Sequence, residues 1–90
     1  METGAVALAF ATYDLAAMAM SDGVIPHNPS QKPQGIELAL ETEDVDTAYA
    51  HAVSCGAPPV TEPTDMPWGQ RLARVKDCDG ILVEICSPMI

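Results

Sequence analysis

The stretch Gln70-Arg71-Leu72-Ala73-Arg74-Val75-Lys76-Asp77-Cys78-Asp79-Gly80-Ile81-Leu82-Val83-Glu84-Ile85-Cys86-Ser87 decides the reading of the fold. It holds two strand-like runs, 70–76 and 81–87, on either side of Asp77-Cys78-Asp79-Gly80. There Gly80 can take the positive φ of a tight hairpin, and the aspartates can accept backbone N–H bonds. Strand side chains alternate, so Ile81, Val83 and Ile85 share one face while Leu82, Glu84 and Cys86 share the other. On the first run Leu72, Arg74 and Lys76 share a face. One carboxylate, Glu84, therefore stands mid-strand among apolar neighbours.

Working outward, Ile36 to Glu41 is a third alternating run, with Ile36, Leu38 and Leu40 on one side and Glu37, Ala39 and Glu41 on the other. Asp44 fits a helix N-cap, and Val45, Ala48, Tyr49, Ala52 and Val53 recur at helical spacing up to Gly56, a residue suited to the C′ position. The aliphatic side of the Ile36–Glu41 strand is the expected surface for that helix to cover. Pro58 to Thr61 predicts a short edge strand and Glu62 to Pro67 a Pro-rich loop, because proline cannot donate to a central ladder. Trp68 is expected as a packed aromatic at the entry to the next strand. From Gly35 the predicted order is strand, helix, strand, strand, strand, which makes residues 35–90 one α+β module with a mixed sheet. Before it, Gly4 to Thr12 predicts a strand and Tyr13 to Met20 a short helical turn. The Pro-rich run 21–34 reads as a linker, so 1–34 is an N-terminal arm.

Composition narrows the function classes. The chain has 90 residues, 13 acidic side chains against 4 basic ones and a net charge of -9, which argues against nucleic acid and anionic membranes as partners. Its apolar run near the N-terminus is broken by Thr12-Tyr13-Asp14 and falls short of the ~20 residues a spanning helix needs. Three cysteines without CxxC spacing indicate neither a disulfide framework nor a zinc site, and point to the reducing cytoplasm. A chain this short has a thin core, and a partner subunit would help it.

The one constellation with chemical content is Glu37 with Glu84. If their strands are neighbours, as a crossover through the helix favours, both carboxylates point to the same side of the sheet. Two readings follow: a site for an oxygen-bound divalent metal or acid/base chemistry, or a cross-strand pairing with Arg74 that needs no metal. Neither His27 in the linker nor His51 on the polar side of the helix supplies a further ligand. Cys86 reads as a small apolar filler beside Glu84.

The blocks Gly35-Ile36-Glu37-Leu38-Ala39-Leu40-Glu41, Asp44-Val45-Asp46-Thr47-Ala48-Tyr49, Cys55-Gly56-Ala57, Asp65-Met66-Pro67-Trp68-Gly69-Gln70-Arg71 and Asp77 to Glu84, in that order, resemble the second half of glyoxalase/bleomycin-resistance proteins of the vicinal oxygen chelate superfamily. The resemblance implies paired βαβββ modules with a ligand cup between their sheets. Gly4 to Thr12 then corresponds to the last strand of a first module, and 1–34 to that module's remnant. Complete members run to about 120–140 residues, so either upstream sequence is missing or the chain is a natural truncation, and a homodimer is expected to complete the cup. In metal-dependent relatives the ligand positions fall at Glu37 and Glu84. Glu84 follows the usual turn-then-glutamate motif, whereas Glu37 stands where histidine is commoner. The expected function is therefore small-molecule binding without metal, in a cup lined by Glu37, Ala39, Leu72, Arg74, Leu82 and Glu84. The alternative is a lyase, isomerase or dioxygenase using Zn, Ni, Mn or Fe on Glu37 and Glu84 from two subunits.

Overall fold

A computed structural model describes residues 11–20, 22, 25, 26, 28, 30–33 and 35–88. A short helix α1 (Tyr13–Ala19) precedes β1 (Glu37–Glu41), α2 (Val45–Ser54), β2 (Pro59–Asp65), β3 (Arg71–Lys76) and β4 (Leu82–Cys86). The strands form one sheet in the order β1-β4-β3-β2. β1 runs parallel to β4, and the other neighbours are antiparallel. The fold is the expected α+β arrangement, with first and last strands adjacent.

The β3–β4 hairpin closes as its residues dictate. Asp77 Oδ1 accepts from the backbone N–H of Asp79 and of Ile81, both at 2.9 Å, and Gly80 has φ +88°. That conformation costs glycine nothing and strains any residue with a Cβ. Asp44 caps α2, accepting from Thr47 N–H at 3.1 Å. At the other end Gly56 has φ +103°, and the N–H groups of Gly56 and Ala57 donate to the carbonyls of Val53 and Ala52. These two bonds form a Schellman motif, which satisfies carbonyls that the end of the helix would leave open.

The core lies between α2 and the sheet. Val45, Ala73, Val75 and Ile85 are buried there, with Ala48, Tyr49, Ala52 and Val53 packed against them. Each fully buried aliphatic side chain contributes about 1.5–3 kcal/mol relative to exposure. Because β3 is central, α2 lies over β2, β3 and β4 and not over β1. This corrects the expectation that the helix covers β1, whose Leu40 is exposed. Helix and strand are joined by only Thr42 to Asp44, yet β4 separates β1 from the middle of the sheet.

Two further expectations are corrected. β2 continues through Glu62, Pro63 and Thr64 to Asp65, where a loop was expected. Its register against β3 shifts twice, and those irregularities let an edge strand accommodate Pro59 and Pro63. Trp68 is 60% exposed and not packed, with its indole N–H donating to Gln70 Oε1 at 2.9 Å. The strand expected over Gly4 to Thr12 lies outside the described residues except for Ala11 and Thr12. Of these, Thr12 caps α1 by accepting from Leu15 N–H. His27 also lies outside them. Among the described residues, α1 packs against no other element and no helix is long and apolar enough to cross a membrane.

Candidate functional site

The sheet has one face under α2 and one face away from it. Paired residues share a face, so the ladder places Ala39, Glu84 and Arg74 in one row across β1, β4 and β3 on the side away from the helix. Adjacent rows hold Glu37, Leu82 and Lys76, and Glu41, Cys86 and Leu72. All six cup residues expected from the sequence therefore lie on this face away from α2, which is open along β1 and closed over Leu72 and Cys86, 1% and 4% exposed. They differ in access, with Glu37 and Ala39 exposed, Leu82, Arg74 and Glu84 half-buried, and Leu72 only 1% exposed.

Arg74 organises the face. Its Nη2 donates to Glu84 Oε1 at 3.0 Å and its Nε to Glu37 Oε2 at 3.1 Å. Glu84 is on the neighbouring strand, but Glu37 is two strands away and one row over, and the small side chain of Ala39 leaves room for the guanidinium to cross. The Glu84 side chain is 13% exposed, so its charge sits in a partly desolvated place where an ionised partner counts for more than it would in water. Lys76, on the same face, donates through Nζ to the carbonyl of Gln31 at 3.2 Å. Among the described residues of β1, β3 and β4, this face carries three carboxylates, Glu37, Glu41 and Glu84, against two cations, Arg74 and Lys76, one net negative charge. Burial, followed by the charges of Glu84 and Glu41, pushes the Cys86 thiol above its ordinary range, which keeps it protonated. Its Sγ donates to the Leu40 carbonyl at 3.7 Å.

The two readings of the glutamate pair can now be compared with the geometry. A divalent cation needs convergent donors, and here the carboxylates converge on a guanidinium instead. Among the described residues no three His, Cys, Asp or Glu side chains are placed to hold a metal ion. Within one chain, the donor set in this arrangement does not fit the metal that some relatives use. His51 stays on the exposed side of α2, where its Nε2 lies 3.7 Å from Cys55 Sγ.

Two features went unread in the sequence. On the helix face, Arg71 donates from Nε and Nη2 to Asp46 Oδ2 and Oδ1 at 2.9 and 2.8 Å, and from Nη1 to Asp65 Oδ1 at 3.1 Å. This strap joins α2, β3 and β2. The available signal was an aspartate in the first helical turn opposite an arginine at a strand start. The second feature is Gln70, a buried polar residue whose Nε2 donates to the Ser87 carbonyl at 2.9 Å while its Oε1 accepts from Trp68. It ties the start of β3 to the segment after β4, and nothing in the local pattern marks it.

The order β1-α2-β2-β3-β4 on a mixed four-stranded sheet is consistent with the βαβββ fold of glyoxalase-like proteins. Residues 2–85 match the glyoxalase/bleomycin resistance protein/dioxygenase superfamily, and the chain belongs to it. Among solved structures, a member of this superfamily from Sphaerobacter thermophilus DSM 20745 is 33% identical over 64% of this chain and 47% of that one, with a TM-score of 0.54. TioX from Micromonospora sp. ML1 is 25% identical over 64% of this chain and 55% of its own, with a TM-score of 0.53. A glyoxalase/bleomycin resistance protein/dioxygenase from Nocardioides has a TM-score of 0.62 at 22% identity, covering 83% of this chain and 50% of that one, which is a likeness of fold. The chain spans about half the length of these structures. No curated protein matches it significantly.

Proposed function

We propose that the protein binds a small organic molecule on the open face of its sheet without a metal, and that two chains pair to enclose it. The observation that carries this reading is the guanidinium of Arg74 standing between Glu37 and Glu84, the positions at which metal-dependent relatives place ligands. Moving either carboxylate onto a cation would break a charge-assisted bond and leave Arg74 half-buried with fewer partners. Held as they are, the two carboxylates fix the guanidinium plane. Among the described residues Nη1 has no partner and is free to donate to a ligand oxygen. Leu82 and Ala39 flank it with apolar surface, and the net negative charge of the face favours a neutral or cationic ligand over an anionic one.

Pairing is supported by large apolar side chains left exposed at both edges of the sheet, Ile36 and Leu40 at β1 and Val60 on β2. The free cysteines agree with a reducing compartment, and we place the protein in the cytoplasm. Elemental analysis of protein purified without chelator, beside Glu84→Gln, tests the metal-free reading. Stoichiometric divalent metal that disappears in the variant would overturn it in favour of a lyase, isomerase or dioxygenase. Sedimentation at micromolar concentration tests pairing, and a monodisperse monomer would defeat it.

A further inference from the structure

The helix layer of this module is one helix short. A helix is about 10–12 Å across with its side chains and strands lie about 4.8 Å apart, so a single helix covers two to three strands. Here α2 lies over β2, β3 and β4, and the helix-side face of β1 is left bare. Leu38 and Leu40 stand on that face in register with Val83 and Ile85 of the core, and Ile36 continues the stripe just ahead of them. Ile36 and Leu40 are 76% and 39% exposed. The short helix α1 has the opposite deficiency. Its seven residues are too few to hold a helix in water without packing, yet among the described residues it buries none of its own and packs against no other element. Leu15 and Met18, three apart and so on one side of α1, are 55% and 84% exposed. The path of the chain carries α1 away from its own β1. Residues 30–33 share an open cavity of ≈ 470 Å³ with Pro58, Pro59 and Val60 at the start of β2, and Lys76 Nζ holds the Gln31 carbonyl at 3.2 Å. The chain is thus held beside β2, the strand farthest from β1, by a side chain that points away from α2. From Gln31 back to Ala19 it can span at most about 40 Å. Reaching its own stripe would take it back over three strands and around to the other face, whereas the stripe of a second copy needs no such return.

We propose that α1 of one chain docks on the bare β1 stripe of a second copy, beside that copy's α2, and that the exchange is reciprocal. The inference rests on the pairing of chains proposed above and names the contact that holds the pair. Leu15 and Met18 meet Ile36, Leu38 and Leu40, so the apolar groups exposed on each element are those the other covers. The stripe carries no charge, and Asp14, the one charged residue of α1, stands in its first turn, where the helix dipole favours a carboxylate. Exchange of an identical element closes a two-fold pair, because each chain receives the contact that it gives. Each copy then has two helices over its four strands, and the faces that carry Arg74 are left to the ligand.

Sedimentation of the full chain tests the exchange with two variants altered only at exposed positions. Leu15→Gln with Met18→Gln spoils the helix, and Ile36→Gln with Leu40→Gln spoils the stripe. Amide spectra unshifted over β2 and β3 verify that both retain the module. The parent is expected to be a dimer, and each variant alone to raise the dissociation constant about tenfold or more. Mixed one to one, the variants are expected to associate more tightly than either does alone, since the mixed pair keeps one sound helix on one sound stripe. No recovery on mixing would place α1 on its own chain and overturn the proposal. A parent dimer that neither variant weakens, or only one of them, would also overturn it, with pairing left to another surface. A monomeric parent would overturn the exchange together with the pairing on which it rests.

Discussion

Arg71 and Arg74 stand three residues apart on β3, and each is held between two carboxylates, yet they point to opposite faces and do different work. Arg71 makes three bonds with the exposed Asp46 and Asp65, a bidentate strap across the outside of the helix face. Arg74 makes one bond to each of Glu37 and Glu84, reaching across β4 to β1 on the open face, and its Nη1 has no partner among the described residues. The same chemistry fastens α2 to β3 and β2 on one face, and on the other it links β3 to β4 and β1 around a half-buried guanidinium. An odd spacing in a strand is enough to divide the roles.

Replacing Ile85 by Ala should give the largest effect. Ile85 lies in the helix-face core, and its truncation is expected to cost about 2–5 kcal/mol in urea unfolding. Leu82→Ala on the open face should cost less than about 1.5 kcal/mol, since that side chain is only half-buried. Equal losses at the two positions would contradict the division of the sheet into a face packed under α2 and a face away from it.

Next in size, Arg74→Met should weaken a ligand found by thermal-shift screening by about tenfold or more, since each 1.4 kcal/mol is a factor of ten. The same variant should cost about 1–3 kcal/mol of stability, because Glu84 loses its counter-charge in a partly desolvated place. Arg71→Met should leave that ligand affinity within about twofold, as it touches nothing on the open face. Its effect should appear instead as faster amide exchange in the first turn of α2. If Arg71→Met weakens the ligand as much as Arg74→Met does, the two arginines do not have separate roles.

The smallest effect concerns pH. Hydrogen bonding to Arg71 holds the Asp46 carboxyl below its ordinary value of 3.8, and Thr47 does the same for Asp44. A folded-state value below the unfolded one means that stabilisation is complete above 3.8 and is lost as pH falls through the folded value. Acid unfolding should therefore show a component below pH 3.8 that Asp46→Asn flattens, with no change near neutrality in the slope of stability against pH. A matching loss on the alkaline side would contradict the sign.

Most of the fold was legible because the strands alternate strictly and the turn and caps carry their characteristic residues, Asp77 with Gly80, and Asp44 with Gly56. The face shared by Glu37, Glu84 and Arg74 followed from the same alternation once β1 and β4 were adjacent. What escaped was decided by tertiary geometry. The course of α2 over β3 depends on sheet order, the length of β2 on bulges that excuse its prolines, and the exposure of Trp68 on what lies near it. The Arg71 strap joins residues 25 apart in the chain and the Lys76–Gln31 bond residues 45 apart, pairings that no local pattern marks.

The central claim, that Arg74 and not a metal satisfies Glu37 and Glu84, is tested most directly by titrating Mn²⁺ into isotopically labelled protein and following paramagnetic broadening of individual amides. The account predicts no saturable broadening centred on Glu37 and Glu84 in the parent chain. Saturable broadening centred on those two residues and abolished by Glu84→Gln would contradict it.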